Sequence, residues 1–250
     1  MLIYGMTDIG MVRKENQDSY GIQTDLPSGH MVGAVCDGMG GPAGGQLASS
    51  IALETYMTAL ETRLHSGMGL EDVKRASEDA VREANRAVWD AAQKKGYLSM
   101  GTTLVSAVAS GADVVISNVG DSRAYAISRH EVTCLTRDHS LVQEMVERGE
   151  LTPQEARIHP NRNLITRALG PDENVLCDTY FYHMPPDTFL LLCSDGLVNT
   201  VTDAEMLELV WTYAPDGCPA ALIDAAKKRG APDNVTVVLM RNAQEGGGQA

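Results

Sequence analysis

Aromatic residues are scarce in this chain of 250 residues: 2 Phe, 2 Trp and 8 Tyr. Val, Leu, Ile, Ala and Met must therefore fill any core, and an apolar content of 44% is enough to build one. Positive charge is also short, with 20 Lys and Arg against 33 Asp and Glu and a net charge of −13. That balance argues against a nucleic-acid or anionic-membrane partner. No apolar run approaches the ~20 residues needed to span a bilayer. The opening MLIYGMTDIG has neither a basic region nor a long apolar stretch, so it does not read as a signal peptide, and a cytoplasmic location is expected. Five cysteines (Cys36, Cys134, Cys177, Cys193 and Cys218) are odd in number and form no CxxC pair. They read as reduced thiols, most of them in apolar or strand-like runs. Linkers, repeats and low-complexity segments are lacking before the Gly-rich end. One domain over residues 1–242 is expected, with a disordered tail at 243–250.

Strand-like runs cover residues 2–8, 19–24 and 31–36. Helical periodicity follows from 46 to about 64 and over 70–95. Four short strands at 102–109, 114–119, 124–128 and 132–135, separated by turn residues, read as an antiparallel meander. Ser140 with Gln143, Thr152 with Glu155, and Thr202 with Glu205 fit capping boxes, and Pro153 takes the favoured first helical position. Further strands are expected at 175–183, 188–194 and 235–240, and helices at 203–212 and 219–229. Strands in blocks and helices in pairs give α+β segregation rather than βαβ alternation. About ten strands are too many for one small sheet, so two stacked sheets covered by helix pairs are expected.

Acidic residues recur in one setting. Asp37, Asp121, Asp195 and Asp233 each stand where an apolar or β-rich run meets Gly or Asn: VCDGMGG, SNVGDSRAY, LLCSDGL and APDNVTVV. Asp18, in RKENQDSY, opens another strand. Any one of them alone is more often a turn or capping aspartate; their shared setting makes them a set. Carboxylates cannot crowd together and ionise without a cation. An all-oxygen cluster suits Mg²⁺ or Mn²⁺ rather than zinc. A two-metal carboxylate site is suited to hydrolysis at phosphorus, because the metals acidify water and neutralise phosphate oxygens. Arg13, five residues before Asp18, has the guanidinium fork that grips phosphate, though a solvated surface arginine is an equal reading on spacing alone.

Gly38, Gly40 and Ala43 also match G-x-G-x-x-G/A between a strand and a helix. A dinucleotide-binding unit needs a second parallel strand ending in an acid about 20 residues on. A second long helix follows here instead. No Gly-Lys-Ser/Thr follows the glycines, which excludes a P-loop.

The ordered set DIGMVRKENQD, VCDGMGG with GGQLAS, MGTT, VGDSRAY, LTRDHSLVQEMVERGELTPQEARIHPNRNLITRALG, LLCSDGL and APDNVTVV resembles the metal-dependent, type 2C serine/threonine protein phosphatases in their compact bacterial form. The resemblance runs from about Asp8 to Met240. It implies a four-layer α/β/β/α sandwich, with two mainly antiparallel sheets flanked by pairs of antiparallel helices. It implies that metal-activated water attacks phosphoserine or phosphothreonine directly, without a phosphoenzyme. Asp37 would bridge two Mn²⁺ or Mg²⁺ ions, Asp195 and Asp233 would complete the first site, and Asp18 with the Gly38 carbonyl would serve the second. Asp121, with Asp195, would hold a weaker third ion, and Arg13 would grip the substrate phosphate. The stretch 138–170 would be a flap bearing on substrate choice. Partners would be phosphorylated proteins, including a serine/threonine kinase and its substrates, met by a monomer.

Bacterial relatives usually carry His after DGMGG, a proposed general acid, and often a Glu four residues later; this chain has Pro42 and Gln46. Serine alkoxide leaves poorly, so loss of an acid costs about 10²–10⁴-fold unless something replaces it. His139 and His159 are other candidates, although a histidine beside a turn or a proline is more often structural. The second reading is a catalytically weak or inactive phosphoprotein-binding regulator with the same fold. Pro42 favours it, and the complete acidic set opposes it.

Overall fold

The computed structural model describes residues 1–41, 44–97 and 99–242; Pro42 and the 243–250 tail, expected to be disordered, lie outside them. The chain runs β1 (Leu2–Asp8), β2 (Asp18–Gln23), β3 (Met31–Met39), α1 (Gly44–Arg63), α2 (Leu70–Lys95), β4 (Gly101–Thr102), β5 (Leu104–Ser110), β6 (Asp113–Val119), β7 (Arg123–Ile127) and β8 (Val132–Cys134). It continues α3 (Leu141–Glu147), α4 (Pro153–Ile158), β9 (Asp178–His183), β10 (Thr188–Cys193), α5 (Asp195–Val198), α6 (Asp203–Thr212), α7 (Cys218–Lys228) and β11 (Val235–Asn242). One sheet has the order β1-β11-β10-β7-β8 and the other β2-β3-β5-β6-β9, with the short β4 paired to β3. Every pairing is antiparallel.

Period-two alternation sorts each strand between two cores. In β3, Val32, Ala34 and Cys36 face α1 and α2, while Val35 joins the layer between the sheets. In β10, Phe189, Leu191 and Cys193 face α5, α6 and α7, while Leu190 and Leu192 face the other sheet. Three apolar layers thus hold the expected α/β/β/α sandwich. Cys36, Cys193 and Cys218 are buried packing residues, and no cysteine is in a disulfide. Among the described residues no helix is long and apolar enough to cross a membrane.

The expected meander is corrected. β6 pairs with β5 and β9, whereas β7 pairs with β10 and β8 in the opposite sheet. The change of sheet is made at Gly120, whose φ is +108° and where a Cβ would stand 2.6 Å from Thr103. The single strand expected over 102–109 is also broken, at Thr103. The Thr103 N–H donates to the Asp37 carbonyl at 2.8 Å, and its Oγ1 accepts from the Asp37 N–H at 2.9 Å. Both departures lie beside aspartates of the acidic set.

Candidate functional site

Asp37 is not at the end of its strand, as its motif suggests, but within β3, directly opposite Asp18 on β2. Opposed residues of an antiparallel pair point to the same face. For Asp37 that face is the one Val35 presents to the other sheet. Asp195 opens α5 just after β10, Asp233 precedes β11, and Asp121 lies on the Gly120 crossover. The acidic set is therefore gathered at one end of the layer between the sheets.

A cavity of about 510 Å³ opens there, lined by Arg13, Asp37, Gly38, Asp121, Asp195 and Asp233 among others. Asp18 is not in the lining and sits deeper, 7% exposed. Its Oδ2 accepts from Ser194 Oγ at 2.8 Å and Thr236 Oγ1 at 2.6 Å, so it ties the two sheets together. Its Oδ1 is buried without a partner. The Asp195 Oδ2 accepts from Asn199 Nδ2 at 3.1 Å.

Burial first, and mutual repulsion second, push these groups above the ordinary carboxylate value. Asp18 and Asp195 are raised to about 6, Asp121 to about 8, and Asp37 well above its usual value. Asp18, Asp195, Asp121 and Asp233 all repel a charge on Asp37. Arg13 answers part of this: its Nη2 donates to Asp233 Oδ2 at 2.7 Å, and that bond raises its own pKa.

Among the described residues no three His, Cys, Asp or Glu side chains are closed into a ready metal cage. This is compatible with their strong repulsion. Charges act on each other across several ångströms, whereas coordination by a hard cation brings oxygens to within about 2.0–2.6 Å. The donors surround a volume. All are oxygens, their mutual repulsion is only partly offset by Arg13, and the Asp18 Oδ1 is an orphaned acceptor. A hard divalent cation fits this set.

Several supporting residues were not singled out in the sequence. The Asn234 side chain accepts from Gln17 N–H at 2.8 Å and donates to the carbonyls of Ile9 and Glu15 at 2.9 and 3.0 Å. It thereby shapes the loop that carries Arg13. Thr103 joins Asp37 to Ser122, whose Oγ is 2.7 Å from its own. Both residues lie in quoted motifs, DNV and MGTT, but their targets are distant in sequence. At Gly38 a Cβ would stand 2.1 Å from the Gly45 carbonyl oxygen, so the start of α1 packs on the bare β3 backbone. Asn163 and Ile165 add a wall from the 138–170 stretch.

His139 and His159 do not line this cavity. His139 is 3% exposed with both ring nitrogens engaged, and His159 Nδ1 accepts from its neighbour Asn161 N–H. Neither ring is placed to serve as the missing acid, which corrects their candidacy. Pro42, where relatives usually have His, lies outside the described residues.

Residues 12–222 match the family model described as protein phosphatase 2C. A serine/threonine phosphatase of Listeria monocytogenes is 36% identical over 236 residues, covering 94% of this chain and 93% of that protein. The crystal structure of the Mycobacterium tuberculosis serine/threonine phosphatase PstP/Ppp superposes with a TM-score of 0.86 at 33% identity, over 97% of this chain and 99% of that one. A structure of the PstP catalytic domain in complex with two manganese ions gives 0.82 at 32% identity, over 95% and 96% of the two chains. With most of its length matched in sequence and in architecture, this chain belongs to the protein phosphatase 2C family.

Proposed function

We propose that this chain is a Mn²⁺- or Mg²⁺-dependent protein phosphatase that hydrolyses phosphoserine and phosphothreonine esters. The observation that carries the reading is the gathering of five sequence-distant aspartates at one place, Asp37, Asp121, Asp195 and Asp233 lining the cavity and Asp18 behind it, with the pKa values of Asp18, Asp37, Asp121 and Asp195 raised. Asp37, Asp195 and Asp233 would hold one ion, Asp37, Asp18 and the Gly38 carbonyl a second, and Asp121 with Asp195 a weaker third. Bound ions of this kind supply charge neutralisation for the phosphoryl oxygens and an acidified water that attacks phosphorus.

The chain's own residues do the rest. Arg13 swings between Asp233 and the substrate phosphate, holding the latter by two parallel N–H bonds. Thr103 fixes the Asp37 backbone, and Ser194 and Thr236 hold one oxygen of Asp18 so that the other stays directed. Asn163 and Ile165, in the 138–170 flap, limit the approach of the substrate chain. The substrates are phosphoproteins, with a serine/threonine kinase as counterpart, and the working unit is the monomer, one catalytic domain over residues 1–242. A regulator without activity would have no need to keep five carboxylates in mutual repulsion.

The test is phosphate release from a phosphothreonine peptide after treatment with chelator. Activity should be absent, return with Mn²⁺, and stay absent in Asp37→Asn. A folded protein with no turnover in excess Mn²⁺ would leave only the regulator.

A further inference from the structure

His139 is 3% exposed, and every polar group it has is engaged. Its N–H donates to the Gly120 carbonyl at 2.9 Å, and its carbonyl accepts from Thr166 N–H at 2.8 Å. Its Nδ1 accepts from Gly120 N–H at 3.0 Å, which puts the proton of the neutral ring on Nε2. That nitrogen lies 3.2 Å from Asp178 Oδ2 and 3.0 Å from Nη1 of Arg167, the residue after Thr166, so the ring as well as the backbone of His139 reaches the segment that carries the wall. Arg167 Nη1 donates to Asp178 Oδ1 at 2.6 Å and to the Leu176 carbonyl at 3.3 Å.

The neighbours of these atoms give the arrangement its meaning. Gly120 directly precedes Asp121, and both of its backbone polar groups go to His139. The Gly120 carbonyl also accepts from Asn118 Nδ2 at 3.4 Å, and at φ +108°, with Thr103 beside it, the position admits no side chain. On the other side, Thr166 directly follows Ile165, a wall of the cavity, and Ile165 is itself bridged to Ser140. One buried residue therefore fastens an acidic ligand candidate to the wall against which a substrate must lie.

We propose that His139 is a positioning residue that couples Asp121 to the Asn163–Ile165 wall, so that cation binding at Asp121 and substrate binding at that wall strengthen each other. The inference rests on the reading of Asp121 as a cation ligand. Thermodynamic linkage makes the effect reciprocal: if substrate tightens the ion, the ion tightens the substrate by the same factor.

Two isosteres divide the ring. His139→Asn places an amide oxygen near Nδ1 and keeps the Gly120 bond; His139→Gln reaches toward Asp178 and loses it. Mn²⁺ binding is followed by titration calorimetry on the full chain, alone and with a non-hydrolysable phosphonate peptide. The set includes wild type, both His139 variants, Asp121→Asn, and Asp121→Asn with His139→Gln. In wild type the peptide should tighten the weakest Mn²⁺ step several-fold. His139→Gln should weaken that step ~10-fold, with no further change in the Asp121→Asn background. His139→Asn should keep the Mn²⁺ affinity within about twofold while losing most of the tightening by peptide. Equal losses in both Asp121 backgrounds, or full peptide tightening in His139→Asn, would overturn the coupling alone. An isotherm unchanged by Asp121→Asn would instead overturn the cation reading of Asp121, and the coupling with it.

Discussion

Arg13 has two claims on its charge: the Asp233 carboxylate at 2.7 Å and, in the proposed reaction, the substrate phosphate. Both partners of the ion pair are substantially exposed, so the pair contributes little to stability. Arg13→Ala should leave the melting temperature within ~2 °C but lower kcat/KM roughly 10²-fold, the size of a lost charge-assisted fork. A large melting shift with intact kcat/KM would make Arg13 a structural residue. His30 presents the opposite case, 2% exposed with both ring nitrogens buried and unpaired. Its pKa is lowered by burial, so only the unfolded chain gains a proton as pH falls through ~6.5. The contribution of His30 to stability should therefore fall below that pH. His30→Leu should raise stability by about 1–2 kcal/mol and flatten the acid side of the profile, as chemical denaturation at pH 5.5 and 7.5 would read. A third consequence belongs to Pro42. With no acid supplied there, log kcat should fall steeply as leaving-group pKa rises across aryl phosphates. A shallow slope, with phosphoserine peptides cleaved as fast as aryl esters, would reveal another acid.

At the scale of elements, local chemistry predicted well. The range 2–8 for β1, 70–95 for α2 and 203–212 for α6 agree with the structure to the residue. The boxes at Thr152 and Thr202 are complete, while Ser140 makes only half of one, because the Gln143 side chain turns to Glu147. Caps and periodicity depend on residues a few positions apart, so a single sequence contains them. The sheet to which β6 or β7 belongs does not, since β9 and β10 compete for their edges from some 60 residues away. The short α5 leaves no signal in the sequence for a related reason: four residues carry no period. The helix α4 buries no residue, so its capping box stabilises the helix locally and adds nothing to the core. Thr152→Ala should cost about 1 kcal/mol locally. Hydrogen exchange over Pro153–Ile158 should speed up with the global melting temperature unchanged; a global shift would mean that α4 is part of the folding unit.

For the molecule as a whole, the two sheets bring residues 18, 37, 121, 195 and 233 to one end. The acidic set was legible because four of its members share a strand-to-Gly or strand-to-Asn setting. Its depth was not: Asp18 lies behind the cavity, paired to Asp37, and its orphaned Oδ1 depends on Ser194 and Thr236 in the opposite sheet. Raised carboxylate pKa values make the folded state bind protons that the unfolded chain has released. Their stabilisation is complete below the ordinary value of 3.8 and is lost as pH rises through about 6 for Asp18 and Asp195 and about 8 for Asp121. Between pH 6.5 and 8, above the range in which His30 acts, chelator-treated protein should lose several degrees of melting temperature, and Mn²⁺ should abolish the loss. A flat profile in the stripped protein would mean that the carboxylates do not repel one another as their burial implies.

The convergence of these aspartates on one cation-requiring centre is most directly tested by titrating Mn²⁺ into chelator-treated protein at pH 7.5 and counting ions per chain, wild type against Asp37→Asn. Two or more ions should bind to wild type, and at least one should be lost in the variant while its circular dichroism stays unchanged. A wild type that binds none, or a variant with the same isotherm, would contradict the site.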